Sequence, residues 1–229
     1  MPFAVRNGVR LYWKLDGDAE RPALVLLNAI GTDLALWDTC MPHLLPAFRV
    51  LRLDARGHGA SDPADGDYGL AMLAADVTAV MDAAGVARAA IVGVSLGGMV
   101  AMALALDHPE RVDALALICS SATMDGGVWA DRIATVRAEG MAAVADLAMA
   151  RFLSPAFVQT HAAVAAGVRR TLLTMDARGF DSGVRRTNAR GSVLHARDHL
   201  FVAGAVVLAA VAVTTSVLTG AWDPVFVGG

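Results

Sequence analysis

The stretch Ile91-Val92-Gly93-Val94-Ser95-Leu96-Gly97-Gly98-Met99-Val100 decides how this chain is read. An apolar segment of β character, Ala89 to Val92, passes through Gly-x-Ser-x-Gly into a segment of helical character, Met99 to Leu106. A strand turning that sharply into a helix forces its central residue into a strained backbone conformation. Glycines two before and two after it remove the side chains that would collide. Ser95 Oγ then stands exposed at the rim of a sheet, and the helix behind it aims N–H groups and a positive dipole end at any anion forming there. Those are the needs of a nucleophile for acyl transfer, so Ser95 is the candidate catalytic nucleophile and the N–H of Leu96 a candidate oxyanion donor. The bland alternative, a chance Gly-x-Ser-x-Gly in a Gly/Ala-rich chain, is opposed by the strand before it and the helix after it.

Upstream, Ala23-Leu24-Val25-Leu26-Leu27 is a short continuous apolar run that suits a strand buried on both faces. It empties into Asn28-Ala29-Ile30-Gly31-Thr32-Asp33, a loop of small residues able to turn its N–H groups inward. The N–H of Ile30 is the candidate for the second half of an oxyanion hole, against an ordinary strand-to-helix turn. Trp37 follows in a short amphipathic segment and reads either as core packing or as a wall of the substrate pocket. Before these, residues 3 to 15 alternate loosely around Asn7-Gly8, the mark of a hairpin with a tight primed turn.

Phe48 to Leu53 is the next strand and ends in Asp54-Ala55-Arg56-Gly57-His58-Gly59-Ala60-Ser61-Asp62. This Gly-rich turn has neither Gly-x-Gly-x-x-Gly nor a Walker lysine, so a phosphate site is rejected. Asp54 and Arg56 are expected to pair and fix the loop, and His58 to be structural. Residues 70 to 84 carry apolar positions at helical spacing with Asp76 and Asp82 on the other face, and Gly85 ends the helix. Val112 to Cys119 is a further buried apolar strand. The alternation is that of a doubly wound, mostly parallel sheet with helices on both faces.

After Ser120 the character changes. Residues 125 to 175 are helical and Ala-rich with no strand signal, and a helical insertion at that point would sit over the ligand-binding edge of the sheet as a cap. Trp129 lies in it, either in the cap's own core or as a second candidate for the substrate pocket. The expected division is a core over 1–122, a cap over 123–180, and an atypical remainder of the core over 181–229.

Bulk properties agree with one sizeable core. The chain has 229 residues, 56% hydrophobic, with mean hydropathy +0.52 and much of the excess in Ala and Val. A formal net charge of −3 without a basic block argues against nucleic acid as a partner. Cys40 and Cys119 show no metal-ligand spacing and suggest buried thiols in a reducing compartment, with a chance disulfide as the other reading. The N-terminus carries no secretory pattern, and the expected location is the cytoplasm.

Several stretches together resemble the α/β-hydrolase family, and within it the 3-oxoadipate enol-lactonases. They are Leu26 to Asp33 leading to Trp37-Asp38, Leu51 to Ser61, Gly93 to Met99, Pro109-Glu110-Arg111-Val112, and Arg132 to Met141. The resemblance runs from residue 1 to about Phe180. It implies a serine nucleophile attacking the ester carbonyl of a small lactone acid, with no metal and no cofactor. A haloalkane dehalogenase would need a carboxylate where Ser95 stands.

In this family an acid and then a histidine follow the nucleophile. Val217 to Pro224 reads as a strand ending in Gly-x-x-Asp-Pro and resembles the acid-bearing loop, which makes Asp223 the candidate acid. No histidine follows Asp223; His195 and His199 lie upstream, in a segment unlike the family, and each would need an unusual path to serve as the base. The reading is therefore of a hydrolase fold truncated at its C-terminus. Residues 181–212 also admit a segment altered by a change of reading frame, and the uncharged run 200–221 reads as buried strand plus helix in preference to a membrane span. Two functions stay open: a serine-dependent hydrolase of a small ester or lactone, and a catalytically silent hydrolase-fold protein that binds a small acid or a partner.

Overall fold

The computed structural model describes residues 2–123 and 126–174. Strands β1 (Phe3–Arg6) and β2 (Val9–Asp16) form the expected hairpin, with Asn7 and Gly8 at φ 51° and 80° in the left-handed pair that a type I′ turn requires. Strand β3 (Ala23–Leu27) leads through a 3₁₀ turn (Leu34–Trp37) and the single-turn α1 (Met41–Leu44) to β4 (Arg49–Leu53). Then come α2 (Leu70–Ala83), β5 (Ala89–Val94), α3 (Leu96–Asp107) and β6 (Val112–Ile118). The helical segment beyond comprises α4 (Gly126–Glu139), α5 (Ala142–Phe152), α6 (Pro155–Thr160) and α7 (Ala162–Thr174).

The sheet order is β1-β2-β4-β3-β5-β6. The β3–β4, β3–β5 and β5–β6 pairs are parallel, and the hairpin adds its strands antiparallel at the β4 side. From β3 the chain goes to β4 on one side and then crosses to β5 on the other. The crevice beyond the C-terminal ends of β3 and β5 is thus the switch point where such sheets bind ligands. The register pairs Leu27 with Gly93, so the loop after β3 emerges beside Ser95.

The strand period of two sorts the central side chains between two cores. Val25, Leu27, Leu51 and Ile91 face α2 and α3 with Leu73, Val77, Val80, Val100 and Leu104. Leu24, Leu26, Val50 and Ala90 face Trp37, Met41 and Leu44 on the other side. Burial on both faces explains why β3 reads as unbroken apolar sequence. Helix α2 ends as expected: Gly85 takes φ 66° and the Val86 N–H returns to the Met81 carbonyl at 2.8 Å, a Schellman closure.

Three expectations need correction. Asp76 is not on the solvent face of α2 but 2% exposed, because an arginine from the loop after β4 reaches it. Strand β6 is only partly covered among the described residues, with Leu117 44% exposed. Neither cysteine is fully buried: both are free thiols, Cys40 half-buried and Cys119 exposed.

Candidate active site

Ser95 sits between the last residue of β5 and the first of α3 with φ 53° and ψ −115°, a conformation that L-residues rarely adopt. The neighbouring glycines are required by contact. A Cβ on Gly93 would strike the Gly97 carbonyl and lie 2.5 Å from the Gly98 nitrogen, and one on Gly97 would lie 2.7 Å from the Asn28 carbonyl oxygen. The strained peptide is held from both sides. The Ser95 N–H donates to the Ile118 carbonyl at 2.9 Å, and the Ser95 carbonyl accepts from the Ser120 hydroxyl at 2.8 Å and from the Gly98 N–H at 3.0 Å. Ser120 was not foreseen as part of this support: a lone serine after a strand carries no local signal of the partner it will meet. The Ser95 side chain is half-buried, and among the described residues no group hydrogen-bonds its hydroxyl.

The loop after β3 is built to present N–H groups. Asn28 is buried and fastened twice, its amide donating to the Leu53 carbonyl and its side-chain oxygen accepting the Trp37 indole N–H, both at 2.8 Å. Thr32 donates from its hydroxyl to the Ala29 carbonyl at 2.7 Å, closing the turn around Ile30 and Gly31. Among the described residues the N–H of Ile30 has no protein acceptor, and neither has that of Leu96 at the first position of α3, where no intrahelical partner exists. Trp37 is 7% exposed and packs with Leu24, Leu26 and Met41, so it supports this loop from the core. A cavity of about 30 Å³, bounded by Asn28, Asp54, His58, Leu96 and Gly97, lies beneath the loop; it has room for about one water molecule and is too small for a substrate.

The Arg-Gly-His-Gly loop behaves differently from the expected Asp54–Arg56 pair. Arg56 instead makes a bidentate pair with Asp76 at 2.6 Å through both nitrogens, and Arg6 adds a third contact to the same carboxylate at 3.2 Å. Asp54 turns the other way and ties two loops together, accepting the Leu34 N–H at 2.8 Å and the Ala60 N–H at 2.9 Å. A Cβ on Gly59 would collide with the Asp54 carboxylate, which accounts for the second glycine of the motif. His58 is 3% exposed with Nδ1 3.1 Å from the Arg56 carbonyl, in keeping with a structural part.

Burial pushes the Asp54 carboxyl above its ordinary range, with the nearby Asp33 adding to the rise, while the N–H groups of Ala60 and Leu34 and the charge of Lys14 oppose it. An acid whose pKa is raised by folding binds its proton more tightly in the native state, so its contribution to stability falls as pH rises from the ordinary carboxylate pKa through the raised one. The stability difference between the wild-type chain and Asp54→Asn is accordingly expected to shrink over that rise. Urea unfolding of both proteins at a series of acidic to neutral pH values measures it; a difference that widens with pH contradicts the assignment.

Of the other proposed site residues, Trp129 lies on α4 with its side chain outside the described residues. Asp223, His195 and His199, together with the uncharged run 200–221, lie outside the described residues altogether. Of the described histidines, His58 touches the Arg56 carbonyl, His108 approaches Glu110 at 3.6 Å, and His161 stacks on Phe157; His43 is exposed on α1. Among the described residues no group of three or more His, Cys, Asp or Glu is placed to hold a metal ion, and no helix is long and apolar enough to cross a membrane.

This geometry can be set beside known proteins. A family model described as the alpha/beta hydrolase fold matches residues 22–178. The chain is 30% identical over 175 residues to 3-oxoadipate enol-lactonase 2 of Acinetobacter baylyi, a match covering 76% of this chain and 66% of that enzyme. The match therefore spans just under two thirds of that relative's length. Among solved structures, the enol-lactonase from Burkholderia xenovorans superposes with a TM-score of 0.74 at 36% identity, covering 79% of this chain and 71% of the other. A hydrolase from Pseudomonas aeruginosa superposes at 0.73 with 41% identity, covering 79% and 69%. With the parallel sheet, the strained serine between strand and helix, and a family match over most of the chain, this protein belongs to the α/β-hydrolase fold family.

Proposed function

We propose that the chain is a serine-dependent hydrolase of small carboxylic esters or lactones, with an enol-lactone of the 3-oxoadipate type as the candidate substrate. The observation that carries this reading is Ser95 itself, held at positive φ where β5 turns into α3, with the N–H groups of Leu96 and Ile30 without acceptors among the described residues. Backbone strain persists where surrounding structure over-determines it, and such residues cluster at reactive sites. The likeness to an enol-lactonase structure narrows the ester class.

In the proposed reaction Ser95 Oγ attacks the carbonyl carbon and loses its proton to water or to an imidazole that reaches the site by an unusual path, with Asp223 as the proposed acid. The carbonyl oxygen takes up the negative charge and accepts hydrogen bonds from the N–H groups of Ile30 and Leu96. Collapse of this intermediate breaks the bond to the leaving oxygen, which takes up the proton given by Ser95 and for a lactone stays tethered to the same molecule. The acyl group left on Ser95 is released by water, which regenerates the hydroxyl. The small-molecule substrate is the only partner this chemistry requires.

Initial rates on the enol-lactone and on a short p-nitrophenyl ester, with Ser95→Ala as control, test the reading. Wild-type turnover well above that of the variant is expected, since the variant lacks the attacking oxygen, and the gap reaches about a thousandfold if a base completes the triad. Equal rates in both proteins would contradict it. Absence of turnover in both favours the other function drawn from the sequence, a silent hydrolase-fold protein that binds a small acid.

A further inference from the structure

The loop carrying Ile30 is fastened to the core at Asn28 and through the Thr32 turn, but its outer side meets the helical segment. Three contacts make that junction. Gly31 has φ 77° and no side chain, and the space where its Cβ would stand is filled by Leu172 of α7, whose Cδ2 lies 2.6 Å from that point. Leu172 is 1% exposed. Next to it, the Thr171 hydroxyl donates to Asp33 Oδ2 at 3.0 Å, joining residues 138 apart in the chain. The other oxygen of Asp33 accepts the Ala35 N–H at 2.9 Å and caps the 3₁₀ turn, so one carboxylate spans α7 and the exit of the loop. Ile30 itself packs both on the main core and on the cluster of Val136, Met141 and Val144 from α4, α5 and the turn between them.

From these contacts we infer that α7 clamps the loop after β3, with Thr171 and Leu172 as positioning residues that hold the Ile30 N–H in place. The inference rests on the hydrolase reading for its consequence in catalysis, and on geometry alone for the clamp. A donor aimed at a developing oxyanion loses its effect when it shifts by a fraction of its hydrogen-bond length, so release of the clamp weakens stabilisation of the transition state more than binding of the substrate. It also means that the helical segment must be seated on the core for the site to be complete.

The test uses the full chain and two readouts. The first is hydrogen exchange over residues 28–36 in the wild type, Thr171→Val, Thr171→Ser and Leu172→Ala. Exchange at least about tenfold faster in Thr171→Val and Leu172→Ala, with Thr171→Ser close to wild type, is expected for amides that lose an anchoring contact. The second is the preference for an ester over its thionoester, whose sulfur is a poor acceptor in an oxyanion site. This ratio does not depend on how much of the variant is active. In Thr171→Val it is expected to fall about tenfold through the ester kcat, with KM within twofold. Unchanged exchange in the loop, or an equal loss on both substrates, overturns the proposal. If the wild type turns over neither substrate but exchange responds as described, the clamp stands and the hydrolase reading falls.

Discussion

Gly97→Ala is expected to remove nearly all turnover, on the order of 10²- to 10³-fold, which is the loss that follows removal of one oxyanion donor. The reason is local and steric. The added Cβ would lie 2.6 Å from the Leu27 carbonyl carbon and 2.7 Å from the Asn28 oxygen, and these are backbone atoms that no rotamer change can move aside. Relief has to come from separating α3 from the loop after β3, the two elements that carry the Leu96 and Ile30 N–H groups. Overpacking of this kind typically costs about 1–3 kcal/mol in stability as well. Gly167→Ala in α7 is the control: nothing lies within 4 Å of its Cβ position, and an alanine inside a helix is favoured by about 1 kcal/mol. Rates with the p-nitrophenyl ester and urea midpoints of both variants check the pair of outcomes; a fully active Gly97→Ala protein would contradict the claim that this close approach holds the two N–H groups in place.

Asp76→Ala is expected to cause the largest loss of stability, about 3–5 kcal/mol, because it strands a buried guanidinium. Arg56 is 3% exposed, makes two 2.6 Å bonds to this carboxylate and lies 5.5 Å from the centre of the Tyr68 ring. The double variant Arg56→Met, Asp76→Leu removes both charges and is expected to recover most of the loss, since apolar replacement of a whole buried pair is often neutral. Urea unfolding of the three proteins measures this directly. A single variant within about 1 kcal/mol of wild type would show that the pair carries little net energy.

These two cases mark what could be read in the chain before its structure. The elbow was legible because its constraint is confined to five residues: Gly93, Ser95 and Gly97 are needed by one sharp turn, and the turn is announced by the strand and helix on either side. The hairpin at Asn7-Gly8 and the cap of α2 at Gly85 were legible for the same reason, each being a left-handed position that neighbouring residues demand. Partners distant in sequence were not. Arg56 looked nearer to Asp54, two residues away, than to Asp76, twenty away, and helical spacing alone put Asp76 on the wrong side of α2. The contacts of Thr171 with Asp33 and of Leu172 with Gly31 cross almost the whole described chain, and a small residue in a loop says only that something will come close. The proposed acid, Asp223, and the two histidines upstream of it, His195 and His199, are a separate matter, since they fall outside the described residues.

The account stands on Ser95 being a reactive nucleophile, and the direct measurement is covalent: incubate the full chain with a fluorophosphonate and locate the adduct by mass spectrometry of its peptides. The expected result is one phosphonyl group on the peptide containing Ser95 in the wild type and none in Ser95→Ala. An unmodified Ser95, or equal labelling of the two proteins at another residue, would contradict it.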